Sequence, residues 1–304
     1  MKTASHDDTH PESPVLPGKN GRMKIRMPKD RRWLIIWLVV TAFVAVWDIL
    51  FLNKPALLKV VAGFFNTMAI ALLVVLFTLA LGWVATVLLH SLSRRGHGAG
   101  YIVVTFLLNV IRSIPQIVGV LFGYVIVGLL LANGTIRGNF GVFVIMALII
   151  SLFIFIEMVD MMRERIAHYQ KLDFYNAMLV CGIPERRIIN FDILWKNSRL
   201  HIFNKLISVF GMAIFLQCSV DFIISVGLST DVSAVNLPTT LGSLLAKIDS
   251  KQDILFIGTA LTHPSYIPSI FFEHLQGVTV AFLIVFNLLS IFTISNAYAE
   301  RNRL

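Results

Sequence analysis

The chain has 304 residues, of which 57% are hydrophobic and only 14% are charged, and its mean hydropathy is +0.78. This composition excludes a soluble globular domain and predicts a polytopic membrane protein. The net charge of +9 does not indicate a nucleic-acid partner, because no basic–aromatic platform or reading helix accompanies it.

The chain begins with a polar segment and continues as a series of apolar runs. Residues 1–32 contain Pro and Gly and predict a disordered tail without a cleavable signal peptide. Each apolar run is long enough to cross a hydrocarbon core, which needs roughly 20 residues, and none shows the alternation of a barrel strand. Six helical spans are therefore predicted, at Trp33–Leu52, Ala62–Leu89, Tyr101–Ala132, Phe140–Met162, His201–Leu228 and Ile270–Tyr298. The corresponding divisions are the tail 1–32, a first helix with a short outer loop at 33–61, a five-helix core at 62–298 and a second tail at 299–304.

The distribution of Lys and Arg between the connections predicts the orientation. The two tails and the connections 91–100 and 163–200 hold nineteen of these residues, and the alternate connections hold five. The positive-inside rule therefore predicts that both termini are cytoplasmic. The outer connection 229–269 contains the segment LGSLLAKIDSKQDILFIG, which predicts a helix at the outer interface or capping a pore.

The cytoplasmic connection contains the segment DFYNAMLVCGIPERRIINFDIL at 173–194. Gly182 suits the position after a helix where φ is positive, and Pro184 suits the first turn of the next helix. Glu185 then lies near the positive N-terminus of that second helix. Two short helices are predicted to meet at an exposed corner, which is either a docking site for a soluble partner or a simple folded connector.

This segment resembles the cytoplasmic loop of ABC-importer permease subunits, which carries E-A-A, three residues, Gly, nine residues and I-x-L-P. Asn176, Ala177 and Met178 occupy the E-A-A positions, Gly182 the Gly, Leu194 the Leu, and Trp195 the Pro. The segment itself and the runs CSVDFIISVGL, LPTTLGSLLAKIDSKQDIL and GVTVAFLIVFNLLSIFTISNAYAERNRL are similar to dipeptide/oligopeptide/nickel-type permeases. The run NVIRSIPQIVG is similar to a polar-x-x-IP element of several importer permeases, so the resemblance covers about 62–304. The long outer segment after the first span and the Trp expected before Gly242 are missing.

The resemblance implies an all-α, type I ABC-importer permease fold with six transmembrane helices and a cytoplasmic coupling helix between the fourth and fifth. It implies a permease subunit that imports peptides or a related solute, such as nickel or another metal complex, across a bacterial inner membrane. The implied partners are a second, homologous permease forming a heterodimer, two ABC ATPase subunits, an extracytoplasmic substrate-binding protein and membrane lipid. The chain itself would hold no cofactor, since ATP and Mg would bind to the ATPases. The ATPase-docking residues that the resemblance implies are Asn176, Ala177, Gly182, Ile183, Pro184, Glu185 and Arg186.

Charged residues within the predicted spans form a second group of candidates, because each costs on the order of 2.5–3.5 kcal/mol at a helix centre. Arg112 lies in the third span, and Glu157 and Asp160 lie one turn apart in the fourth. One hypothesis is that Arg112 pairs with Glu157 or Asp160 and clamps these two spans together. The alternative is that all three side chains snorkel to the cytoplasmic interface.

A polar face in the fifth predicted span is the third candidate. Gln217 and Asp221 share a helix face at i,i+4 spacing, with Ser219 nearby. Because the fifth span lines the translocation path in the resembling family, this face is a candidate for substrate contact or gating. The alternative is a helix–helix hydrogen bond with the partner permease.

No signature of enzyme chemistry is visible in the sequence. The chain contains no G-K-[ST] phosphate loop, no Cys/His set at metal-ligand spacing and no nucleophile elbow, so a transport subunit rather than an enzyme is predicted. Two rival functions remain. One is a secondary transporter without an ATPase, which would show inverted repeats; the other is a membrane scaffold or assembly subunit, with which the altered E-A-A motif is compatible.

Overall fold

A computed structural model describes residues 29–51, 54–94, 98–134, 138–227 and 237–246, the short segments 258–259 and 261–266, and scattered positions between 283 and 297. Within these residues the fold is all-helical and contains no strand. The long helices are α1 (Lys29–Phe51), α2 (Lys54–Arg94), α3 (Ala99–Ser113), α4 (Gln116–Ala132), α5 (Asn139–Gln170) and α8 (Arg199–Gly227). The short elements are α6 (Asp173–Val180), α7 (Glu185–Arg187), a π-helix (Ile188–Asn197), α9 (Leu241–Ala246) and a 3₁₀ turn (Pro264–Tyr266).

Four of these helices are long and apolar enough to cross a membrane, and they coincide with the predicted spans one, two, four and five. Their apolar stretches are Arg31–Leu50, Leu57–Arg94, Phe140–Gln170 and Arg199–Ile224. The bent pair α3 and α4 gives a fifth candidate if it is counted as one span. The sixth predicted span, Ile270–Tyr298, lies outside the described residues except for the scattered positions. Several long apolar helices are consistent with a multi-pass membrane protein.

The third predicted span is not one straight helix. α3 and α4 meet at an angle of 96° across Ile114 and Pro115. Ile114 has an extended conformation, with ψ at 124°, and Pro115 has ψ at 128°. A proline disfavours the helical conformation at the residue before it and supplies no N–H for the helix, so the two helices separate here.

The centre of the bundle is the contact among α2, α4, α5 and α8. Glycines allow close approach in this contact: a Cβ at Gly82 of α2 would lie 2.7 Å from Cγ of Met158 on α5. On α4, Gly119 and Gly123 form a G-x-x-x-G pair, and Cβ atoms there would collide with Phe153 and Ile149 of α5. Small residues at such spacing are typical of tightly packed membrane helices.

A second apolar cluster joins the loop after α5 to the long helices. We use the term "basic end" for the end of the bundle that carries Arg94, Arg163 and the loop 163–200. Isoleucines and a leucine of the π-helix are fully buried there against Met158 and Met162 of α5. The buried residues of the π-helix are Ile188, Ile189, Ile193 and Leu194.

At the opposite end, α9 is inserted between α2 and α8. Leu241 and Leu244 are buried, and a Cβ at Gly242 would lie 2.5 Å from the backbone carbonyl oxygen of Cys218 on α8. The backbone N–H of Leu241 donates to Thr67 Oγ1 of α2 at 3.0 Å. The sequence predicts a helix in this connection, and the structure forms six residues of it, packed into the bundle.

Candidate functional site

The corner, residues 173–194, consists of α6, a tight turn at 181–184, α7 and the first part of the π-helix. α6 ends in a Schellman motif, in which Ile183 N–H donates to Met178 C=O at 3.2 Å and Gly182 N–H donates to Leu179 C=O at 3.0 Å. Gly182 has φ of +74°, which a residue with a Cβ adopts only with strain. Pro184 then precedes α7, and its carbonyl accepts from the N–H of Arg187 at 2.8 Å. The positive φ predicted for Gly182 is confirmed, whereas Pro184 is the N-cap of α7, with ψ at 131°, and not a residue of its first turn.

The outer surface of the corner is formed by most of the residues that the resemblance implies for docking. Asn176, Ala177, Gly182, Pro184 and Arg186 are exposed, whereas Ile183 is half-buried. Val180 lies at the apex and is 88% exposed, although it is apolar. The sequence reasoning did not single out Val180. The sequence does contain an indication of its exposure. Val180 is an apolar residue at the predicted end of a helix, immediately before Cys-Gly, where no following helical turn can pack over its side chain.

Glu185 has a different position, since its side chain is only 12% exposed and points into the protein. Its Oε1 accepts a hydrogen bond from the Tyr175 hydroxyl and lies 3.1 Å from His90 Nε2, while Arg94 forms an ion pair with Oε2. We name these four residues the Glu185 cluster. His90 and Arg94 belong to the end of α2, so the cluster attaches the corner to α2.

The Tyr175 hydroxyl remains a hydrogen-bond donor over the neutral pH range. Burial raises the pKa of Tyr175 above its usual value, and the hydrogen bond to Glu185 raises this pKa further. Tyr175 was not among the sequence candidates, nor were His90 and Arg94. No local pattern pairs them with Glu185, because His90 is 95 residues away in the chain.

One further hydrogen bond connects the corner to α2, and a second fixes its acceptor within the corner. Trp83 Nε1 donates to Asn190 Oδ1 of the π-helix at 2.9 Å, and Asn190 Nδ2 donates to the carbonyl of Arg186 at 3.0 Å. The Trp83 ring also lies edge-on to the ring of Trp195, which stands where the resembling family has Pro. The corner is thus continuous with α5 before it and with α8 after it, and it is bonded to α2 at its side.

The structure brings two of the three charged span residues together. Arg112 Nη2 lies 2.7 and 2.6 Å from the two carboxylate oxygens of Asp160, so α3 is tied to α5. Both side chains of this pair are half-exposed. Glu157 instead accepts from Lys205 Nζ of α8 at 2.7 Å. Lys205 is not among the residues that the sequence analysis selects. A lysine within an apolar run, one turn after His201, nevertheless indicates that a carboxylate lies close to it.

The polar face of α8 lies against α9 in the structure. Asp221 is buried, and its Oδ2 accepts from Thr240 Oγ1 at 2.5 Å. Thr240 caps α9, since its Oγ1 also accepts from the N–H of Ser243 at 3.2 Å. Gln217 is fully buried, with both amide atoms lacking a hydrogen-bond partner among the described residues, and Ser219 is half-buried. Asp221 therefore holds α9 within the bundle.

Within the described residues the fold is all-helical and consistent with a multi-pass membrane protein, with a loop bonded to α2 at the basic end and an inserted short helix at the other. Comparison with known protein families gives no match, and no curated protein matches the chain.

Proposed function

We propose that the chain is the membrane permease subunit of an ABC importer, as its resemblance to the dipeptide/oligopeptide/nickel-type permeases implies. The single observation that supports this most is the corner at 173–194. It is a projecting, conformationally fixed turn with the apolar Val180 at its apex, and it is bonded to α2 and continuous with α5 and α8. A connector that only joined two spans would need neither the fixed turn nor an exposed valine.

In this proposal the exposed side of the corner seats on a separate ATPase subunit, which binds ATP and Mg. The contact residues are those on the outer surface: Asn176, Ala177, Val180, Gly182, Pro184 and Arg186. Ile183 and Glu185 have a positioning role, because one is half-buried and the other holds the Glu185 cluster together. A displacement of the corner by the ATPase would move α2, α5 and α8 together, since all three are attached to it.

The remaining parts of the proposal concern the assembly. The chain forms six spans in the type I permease fold of a bacterial inner membrane, with both termini cytoplasmic, as the nineteen-to-five distribution of basic residues predicts. It pairs with a second, homologous permease, and an extracytoplasmic binding protein delivers a peptide or a metal complex. Gln217, Ser219 and Asp221 then act at the outer gate, where Asp221 fixes α9 through Thr240.

Co-purification with the ATPase subunits tests the docking surface. Val180→Asp places a charge on the apex without disturbing any buried contact, so we expect the chain to fold and to lose the ATPase. Leu261→Asp is the matched control, because Leu261 is 81% exposed but lies in the segment that the charge distribution predicts to be outside. Retention of the ATPase by Val180→Asp would contradict the docking surface.

Reconstitution distinguishes the rival functions. We expect that transport in vesicles requires the ATPase and ATP. Uptake by the chain alone under an ion gradient would support the secondary transporter and overturn the proposal. A chain that binds other membrane subunits but never an ATPase would support the scaffold function instead.

A further inference from the structure

The helix α3 differs from the other long helices in its surface. Within the described chain none of its residues is buried, and its apolar side chains Ile102, Val103, Phe106, Leu107 and Val110 are exposed. Its polar residues Thr105, Asn109, Arg112 and Ser113 follow at helical spacing and form a narrow stripe. A helix with a wide apolar face and a polar stripe is typical of a membrane–water interface.

The direction of α3 follows from the packing of its neighbour α4. Gly119 of α4 packs on Phe153 of α5, and Gly123 packs on Ile149. Residue numbers therefore rise along α4 where they fall along α5, so the two helices are antiparallel. α5 is one of the candidate spans. α4 therefore runs along the membrane normal with α5, and α3, at 96° to α4, lies close to the membrane plane.

The depth of α3 follows from its contacts. Its inner side packs on Phe155, Ile156 and Val159 of α5, and its last turn is held by the Arg112–Asp160 pair. This level coincides with the end of the apolar part of α5, because Arg163 and Glu164 follow directly. A cavity of about 440 Å³ lined by Tyr101, Asp160, Arg163 and Glu164, among others, lies at the same level. Charged side chains around an open cavity mark the depth at which water replaces lipid.

The length of α4 is compatible with a crossing that does not use α3. Its 17 residues extend over about 25 Å at 1.5 Å per residue. A hydrocarbon core of about 27–30 Å accommodates such a helix with slight thinning and with the polar residues at its ends in the interface.

We propose that α3 is a membrane-surface helix, seated in the boundary between headgroups and acyl chains at the basic end of the bundle, and that α4 alone forms the third crossing. The partner of its apolar face is the phospholipid leaflet, because α2, on which α3 packs, and α4, which follows it, also expose many apolar side chains and are long enough to lie in the membrane. Arg94 is exposed at the end of α2, next to the start of α3, where a Cβ at Gly100 would lie 3.3 Å from Leu92, and its charge suits anionic headgroups. The inference does not depend on the proposed function.

Spin-label depth measurements on the full chain in phosphatidylethanolamine–phosphatidylglycerol vesicles test the proposal. The two free cysteines are replaced by Cys181→Ser and Cys218→Ala, and single cysteines are introduced at Val103 and Val110 of α3. The matched control pair is Phe122 and Leu129 of α4, which are exposed apolar residues at the same seven-residue separation. Relative accessibility to oxygen and to a water-soluble nickel chelate gives the depth of each label.

A helix along the membrane normal changes depth by about 10 Å over seven residues. We expect the control pair on α4 to show this difference, and the pair on α3 to differ by less than about 5 Å, even with a typical helix tilt of ~20°. A difference of about 10 Å on α3 would mean that α3 crosses the membrane and would overturn the proposal. Labels on α3 that neither oxygen nor the nickel chelate reaches would overturn it as well, because protein rather than lipid would then cover the face.

Discussion

Glu185→Ala tests whether the Glu185 cluster fixes the corner on α2. The substitution removes the acceptor of the Tyr175 hydroxyl and the ion-pair partner of Arg94. Tyr175 is buried but also has Gln170 as a side-chain hydrogen-bond partner, so losing the bond to the Glu185 carboxylate costs about 1–2 kcal/mol. Arg94 is 59% exposed and remains solvated, so the loss of its ion pair adds at most about 1 kcal/mol. We therefore expect the free energy of opening of the corner to fall by about 2 kcal/mol, which raises the equilibrium constant for opening roughly 30-fold.

Amide hydrogen exchange measures this opening. The reporters are the N–H groups of Gly182 and Ile183, which are bonded in the Schellman motif, and they should exchange roughly 30-fold faster in the variant. Amides in the buried stretch 150–154 of α5 should not change, because the cluster does not contact them. Glu164→Ala is the control: it removes the same charge from an exposed position at the same end of the bundle, and it should leave the reporters unchanged.

Tyr175→Phe provides the complementary variant. It removes the donor but leaves the carboxylate with His90 and Arg94, so the effect should be about 1 kcal/mol, or roughly five-fold in exchange. If Glu185→Ala changed the reporters no more than Glu164→Ala does, the cluster would not stabilise the corner and the reasoning from burial would be wrong.

Two other contacts give direct tests. Reversing the charge of Arg112 or Asp160 alone should lower the free energy of unfolding by about 0.5–1 kcal/mol, because the pair is half-exposed. Exchanging both charges should restore the stability. A double exchange that is no more stable than the single variants would refute the pairing. Gly242→Ala places a Cβ 2.5 Å from the backbone oxygen of Cys218, so α9 must move. In a Cys181→Ser background, maleimide labelling of Cys218 should then rise several-fold. Gly258→Ala, where nothing lies within 4 Å, should leave the labelling at its original level.

The parts of the fold that depend on neighbouring residues could be predicted from the sequence. Four apolar runs become long helices because their length and composition suffice, whatever they pack against. The turn at Gly182 and Pro184 forms because a positive φ and a fixed φ are local demands. Pro115 was visible as well, but hydropathy alone does not indicate that α3 turns by 96° rather than bending slightly, since that angle depends on the contacts of α3 with α2 and α5.

The side-chain partners within the candidate sites could not be predicted in the same way. Periodicity places Glu157 and Asp160 near one face of α5. Only the positions of α3 and α8 determine that Asp160 forms an ion pair with Arg112 and that Glu157 forms one with Lys205. The sequence favours a pore or a partner subunit as the surroundings of Asp221, because it does not show that Thr240 lies beside Asp221 in the fold. Each of these partners is 19 to 48 residues away along the chain.

The position of Glu185 bears on the feature in which this chain departs from the family it resembles. Asn176 stands where the E-A-A pattern has Glu, and it is exposed. A carboxylate that fixes the loop is nevertheless present nine positions later, at Glu185. This side chain accepts a hydrogen bond from Tyr175 of α6 and contacts His90 and Arg94 of α2. The absence of an acidic residue at position 176 therefore does not leave the corner without an acidic anchor. Because this anchor lies on the inner side of the corner, the outer surface around Val180 is free to differ without weakening the attachment to α2. In the assembly proposed above, the ATPase would then recognise the apex of the corner, while the transmission of its movement would depend on Glu185.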